Sequence, residues 1–122
     1  MRVVVDQVGK QYAGPDGSPV IALENVFLTV EQEEFVVLVG PSGCGKSTLL
    51  NMVGGLLAPT SGRIVMEGLT EDRDPSVGMV FQEVGLFPWR TVESNIGFGL
   101  EESGLPETER RERVQRHIDL VG

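Results

Sequence analysis

The sequence predicts an α/β fold built around a strand, a phosphate-binding loop and a helix in immediate succession. Three observations carry this. Five apolar residues, 35–39, run without interruption into a loop with glycines at 40, 43 and 45. Gly40-x-x-x-x-Gly45-Lys46-Ser47 then completes a phosphate-loop pattern and leads into apolar residues at helical spacing. The segment ahead of the loop is rich in β-forming residues, whereas strand character ends at Gln82 and helical patterns follow. The 122 residues suit at most one domain of ordinary size. They divide into a mainly antiparallel β part (1–34), part of a phosphate-loop core (35–82) and the start of a helical subdomain (83–122).

Residues 3–8 (Val-Val-Val-Asp-Gln-Val) read as a strand, expected at a sheet edge. Tyr12 precedes a dense set of turn formers, Gly14-Pro15-Asp16-Gly17-Ser18-Pro19, which joins it to a second strand over 20–30. In that strand the apolar set Ile21, Leu23, Val26, Leu28 and Val30 changes parity near Asn25, predicting a bulge or short turn there. Glu31, Gln32, Glu33 and Glu34 form a polar connection, and 35–39 reads as a strand covered on both faces, as parallel strands are. A helix is expected over 46–56, with Leu49, Leu50, Met52, Val53 and Leu56 as its apolar positions and Gly54 and Gly55 at its end. A short strand at 63–67, a charged surface loop at 71–75 and a strand at 77–81 follow. Leu86-Phe87-Pro88-Trp89 is an aromatic loop, after which Thr91 is placed to cap a short helix. Glycines 97, 99 and 104 break the next segment. Pro106 opens a last helix whose apolar face is Val114, Ile118 and Val121.

Composition narrows the function classes. Ten Lys and Arg stand against 18 Asp and Glu, for a net charge of −8. Arg110, Arg111, Arg113 and Arg116 alternate with Glu107, Glu109 and Glu112, which makes a solvated helix surface rather than a basic face; nucleic acid is not an expected partner. The single cysteine, Cys44, excludes an internal disulfide and a thiolate metal cluster. No signal-peptide pattern opens the chain and no apolar run approaches the length of a membrane span, so a cytoplasmic location is expected.

The loop carries the chemistry. Its glycines let the backbone turn so that successive N–H groups form an anion-binding nest, and the following helix adds the partial positive charge of its N-terminus. Lys46 is placed to reach the β- and γ-phosphates, Ser47 to offer its hydroxyl to Mg²⁺, and Thr48 to help near the α-phosphate. Pro41, Ser42 and Cys44 line the loop. Hydrolysis would further need a strand-end acid and a group that positions water. Among the acids after Lys46, Glu67 and Glu83 come nearest to strand-end placement, and neither follows a long aliphatic run. His117, on a charged helix, reads as a surface residue.

Taken together, VGPSGCGKSTLLNMVGGLLAPTSGRIVMEG and VGMVFQEVGLFPWRTVESNIGFGL closely resemble the N-terminal half of the ATP-binding subunits of ABC transporters, nearest to the importers of nitrate, sulfonate, taurine and related small anions. The resemblance covers 3–122. It implies an ABC-type P-loop NTPase fold, with ATP and Mg²⁺ as ligands, on the cytoplasmic face of the cell membrane. Gly40, Pro41, Ser42, Gly43, Cys44, Gly45, Lys46, Ser47 and Thr48 match the Walker A loop. Tyr12 matches the aromatic residue that stacks on adenine. Gln82 matches the Q-loop glutamine, an accessory catalytic residue that helps position Mg²⁺ and water, so Ser47 and Gln82 are the implied metal contacts. Residues 86–90 resemble the surface that receives a permease's coupling helix, with Phe87 and Trp89 at its centre. The implied partners are therefore a permease subunit, a second ATP-binding subunit and, indirectly, a periplasmic binding protein. Alternatives stay open: Tyr12 as a hairpin residue, Gln82 as a polar strand end, and Phe87 with Trp89 as a local core cluster, which exposure would distinguish.

Glu31 to Glu34 stand where the family usually has a glycine, and Val84 where it often has proline. The same resemblance places the signature segment, the Walker B strand with its acids and the switch histidine beyond Gly122, and the Walker B strand between 35–39 and 77–81 in the sheet. Two functions follow. One is an incomplete ATP-binding subunit of an anion importer, with little or no hydrolysis by these residues alone. The other is a non-hydrolysing nucleotide-binding or interaction module from a truncated or split gene. A small P-loop kinase is disfavoured by Tyr12 and the Gln82 segment.

Overall fold

The computed structural model describes residues 1–68, 77–83 and 85–122. The charged loop expected at 71–75, and Val84, lie outside them. The chain forms two compact units, Met1–Met79 and Val80–Gly122.

In the first unit, β1 (Arg2–Ala13) and β2 (Pro19–Val30) make the expected hairpin. Its turn is closed by a hydrogen bond from the Gly14 N–H to the Ser18 carbonyl (2.7 Å) and by the Asp16 carboxylate, which accepts from the N–H and hydroxyl of Ser18. β3 (Ser61–Glu67) pairs antiparallel with the other side of β1, from Arg2 opposite Glu67 to Gly9 opposite Ser61, giving the order β2-β1-β3. β1 is therefore the central strand, which corrects the edge position expected for 3–8. Its Val5 and Val8 are buried accordingly. The irregularity expected at Asn25 is present: Val8 pairs with Val26 and Lys10 with Leu23, so β2 carries an extra residue there, and Asn25 takes φ 50°.

Helix α1 (Lys46–Val53) is shorter than the predicted 46–56, because Gly54 and Gly55 end it: their N–H groups bond back to Leu50 and Met52. Leu49 and Met52 of α1 join Val5 and Val8 as the buried core, with Leu23, Val26, Leu28, Val53, Leu57 and Ile64 packed around them. The sheet and α1 thus share one small core, and that core fixes where the helix begins.

Two predicted strands do not form. Residues 35–39 and 77–81 have no strand pairing among the described residues. Phe35 and Val39 are 90% and 89% exposed, and Val36 and Leu38 are less exposed than Val37 between them, the alternation of an extended chain. Five consecutive aliphatic and aromatic residues signal a strand that neighbours cover. The strand itself, however, consists of hydrogen bonds to those neighbours, and the described residues supply none here.

In the second unit, α2 (Val92–Ile96) is capped by Thr91, whose hydroxyl accepts from the Ser94 N–H at 3.2 Å, as its position predicts. A 3₁₀ turn (Phe98–Leu100) and α3 (Glu107–Val121) follow, with Pro106 at the start of α3. Ion pairs Glu107–Arg111 and Glu109–Arg113 lie along α3 at i,i+4, as expected for a solvated charged face.

Candidate nucleotide-binding site

The loop between 39 and α1 takes its shape from two glycines. Gly43 and Gly45 stand at φ 78° and 91°, the left-handed region that residues with a Cβ adopt only at a cost. Gly45 also needs its missing side chain for space. A Cβ there would lie 2.5 Å from Leu23 Cδ2 and 2.8 Å from the Ala22 carbonyl oxygen. β2 therefore presses against the loop directly. Leu23 and Ala22 belong to the site's mechanics although neither is in the motif, and the only trace of this in the sequence is that Leu23 falls on the apolar side of β2.

Gly45 is the N-cap of α1 and its carbonyl accepts from the Leu49 N–H at 2.9 Å. No side chain caps the helix, so the N–H groups of Lys46, Ser47 and Thr48 have no hydrogen-bond acceptor among the described residues. They remain available to an anion. The Lys46 ammonium folds back over the loop: Nζ donates to the carbonyls of Gly40 (2.9 Å) and Pro41 (2.6 Å) and lies 3.5 Å from Cys44 Sγ. A positive charge is thus held on the loop that leads into these three unpaired donors. Ser42 and Cys44 are exposed, Ser47 is exposed on the first turn of α1, and Thr48 is half-buried. The motif residues from Gly40 to Thr48 thus form one continuous loop and helix start.

Mg²⁺ fits this donor set in a limited way. Among the described residues no three His, Cys, Asp or Glu side chains cluster as a metal cage. Mg²⁺ needs none where a phosphate chain and water supply most of its six oxygens, and the exposed Ser47 hydroxyl is a suitable single protein ligand.

Tyr12 lies at the end of β1 opposite Val20, 43% exposed, with Lys10 Nζ 5.4 Å from its ring centroid. Gln82 belongs to the second unit and is exposed. Phe87 and Trp89, grouped in the sequence, keep their rings 5.5 Å apart between centroids but differ in exposure. Phe87 is half-buried, edge-on to Phe98 at 4.8 Å, with the Arg90 guanidinium 5.3 Å from its ring. Trp89 is 78% exposed. Phe87 sits inside the local aromatic cluster and Trp89 on its exposed edge. Asn95 ties this loop down, accepting from the Phe87 N–H (2.8 Å) and donating to the carbonyls of Phe87, Arg90 and Thr91. Arg90 pairs with Glu101, and that hydrogen bond holds the Glu101 carboxyl below the usual carboxylate range. His117 is exposed on α3, its Nδ1 2.7 Å from the Arg113 carbonyl oxygen, in keeping with a surface role.

A cleft of about 790 Å³ also opens beside α2 and α3, lined by Glu93, Glu101, Glu107 and Glu112 with Arg110 and Arg111. Its carboxylates outnumber its cations, which opposes a phosphate. The phosphate chemistry rests on the loop.

Residues 23–122 match the family model described as ABC transporter. The chain belongs to the ABC transporter family. Among members of that family it is 44% identical to the xylose/arabinose import ATP-binding protein XacK of Haloferax volcanii, over 99% of this chain and 33% of that protein. It is likewise 44% identical to the nitrate import ATP-binding protein NrtC of Synechocystis, over 98% of this chain and 18% of that one. It is 40% identical to the taurine import ATP-binding protein TauB of Roseobacter denitrificans, over 97% of this chain and 44% of that protein. The ABC fold is matched by the dimeric structure of a post-hydrolysis state of the ATP-binding cassette MJ0796 bound to ADP and Pi, with a TM-score of 0.79 and 33% identity over 93% of this chain and 54% of that one. The chain spans less than half the length of each curated relative named here. No helix among the described residues is long and apolar enough to cross a membrane.

Proposed function

We propose that these residues form the phosphate-binding part of the ATP-binding subunit of an ABC importer. The observation that carries it is the Lys46 ammonium held over a loop of left-handed glycines, beside the unpaired N–H groups of α1. ATP binds with its phosphate chain in residues 40–48, the N–H groups of the first turn of α1 facing its oxygens and Lys46 exchanging loop carbonyls for phosphate. That exchange is favourable because a charge-assisted bond to an anion is stronger than one to a neutral carbonyl. Ser47 would hold Mg²⁺ through its hydroxyl, and the ion would neutralise phosphate charge. Tyr12 stacks on the base.

In the whole protein Gln82 would help position Mg²⁺ and water, the Phe87–Trp89 region would receive a permease subunit on the cytoplasmic face of the membrane, and two ATP-binding subunits would work together with a periplasmic binding protein upstream. Nitrate-, sulfonate- or taurine-like anions are the proposed solutes; the nitrate and taurine import relatives support this, while the equally similar xylose/arabinose import relative supports a sugar. A second reading, a non-hydrolysing module that pairs with a separately encoded half, draws support from the exposed apolar residues 35–39.

Calorimetric titration of Mg·ATP into the chain tests the proposal. One-site binding is expected, weakened about 10- to 100-fold by Lys46→Ala, the scale of a lost charged hydrogen bond. Equal affinity in wild type and variant would place the nucleotide elsewhere.

A further inference from the structure

Lys10 and Tyr12 lie two residues apart on β1, so their side chains leave the same face of the strand. The Lys10 ammonium lies 5.4 Å from the Tyr12 ring centroid, within the range of cation–π attraction. It also donates a 2.8 Å hydrogen bond to the carbonyl of Ala58, in the connection between α1 and β3. That connection is itself fixed to β1: the Thr60 N–H donates to the Gly9 carbonyl at 2.8 Å, and the Gln11 N–H donates to Thr60 Oγ1 at 3.1 Å. Ala58 is therefore a stable anchor. Among the described residues no carboxylate forms an ion pair with Lys10, so its charge is directed to the carbonyl and the ring.

A tyrosine near a hairpin turn otherwise samples several rotamers, and stacking on a base costs it that freedom. A ring already braced in one orientation gives up less on binding. We propose that Lys10 is a positioning residue for base recognition, linking the Tyr12 ring through its ammonium to the Ala58 carbonyl and so holding the ring in the orientation that a purine nucleotide stacks on. This rests on the reading of Tyr12 as the base's stacking partner. Its effect is confined to ligands that carry a base; inorganic triphosphate, held by the loop alone, is indifferent to it.

The test is calorimetric binding of Mg·ATP and of Mg·tripolyphosphate to the full chain and to Lys10→Met, Lys10→Arg, Tyr12→Ala and the Lys10→Met/Tyr12→Ala double variant. Lys10→Met is expected to weaken Mg·ATP about two- to fivefold, the scale of an exposed cation–π contact, and to leave tripolyphosphate unchanged. Lys10→Arg, which keeps the cation, retains wild-type affinity, and the double variant binds ATP no more weakly than Tyr12→Ala. Equal weakening of both ligands by Lys10→Met, or full additivity with Tyr12→Ala, would overturn the proposal by showing a general structural role. If Tyr12→Ala weakens ATP and Lys10→Met does not, only the role of Lys10 falls. If Tyr12→Ala has no effect, or wild type binds neither ligand, the reading beneath it falls as well.

Discussion

The phosphate loop has two ends of very different character. At its C-terminal end, Gly45 is pressed against Leu23 and Ala22, and Leu49, one turn further on, is 5% exposed in the shared core of α1 and the sheet. At its N-terminal end, Val39 is 89% exposed and leads back through residues that no strand pairs among those described. The same loop is anchored on one side and loose on the other. The anchored side holds the groups a phosphate needs: the left-handed glycines, the helix N–H groups and Lys46. Its geometry therefore comes from the packing of α1 on β1 and β2 and not from the apolar run that announces the loop in the sequence.

Substitutions on the two sides break or sharpen this contrast. The largest effect is expected from Gly45→Ala, which combines a left-handed residue with a Cβ forced against β2. These two costs sum to about 2–6 kcal/mol in urea unfolding, with loss of nucleotide binding. Next comes Leu49→Ala, at about 2–5 kcal/mol, since it empties part of a core that has few other members. Val39→Ser, on the loose side, is expected to stay within about 0.5 kcal/mol of wild type. A cost for Val39→Ser as large as that of Leu49→Ala would show that the loop is anchored at both ends.

The smallest effect lies in the second unit. Glu101 titrates below its ordinary range because Arg90 binds its ionised form, so the pair adds stability above the ordinary carboxylate pKa and loses it as the pH falls through the lowered value. Comparing thermal melts of wild type and Glu101→Gln from pH 7 downward should show a small wild-type advantage that shrinks below the ordinary glutamate pKa and is gone below the lowered one. Nucleotide affinity should not follow it, because neither residue belongs to the loop.

The chemical part of the site was legible in the sequence because it is local. The loop motif, the Thr91 cap and the Asn25 irregularity each depend on residues a few positions apart, and the structure shows the cap and the irregularity where the sequence predicts them. The family was legible for the same reason. What was not legible depends on distant partners. β1 reads as an edge until β3 pairs with it, with Val3 opposite Met66. Residues 35–39 read as a strand because their composition reports the neighbours they are suited to, whereas pairing needs those neighbours in place. Phe87 and Trp89 pack ring to ring yet differ in exposure, because Phe98 and Asn95 fold back on the former. Lys10 offers no sequence signal beyond its spacing from Tyr12.

Amide hydrogen exchange with and without Mg·ATP tests the anchored cradle most directly. The N–H groups of Lys46, Ser47 and Thr48, with those of Gly43 and Gly45, are expected to become protected on binding, while those of residues 36–39 exchange as before. Protection of 36–39 with the loop amides unchanged would contradict the account, because the nucleotide would then be held from the side of the loop where no cradle exists.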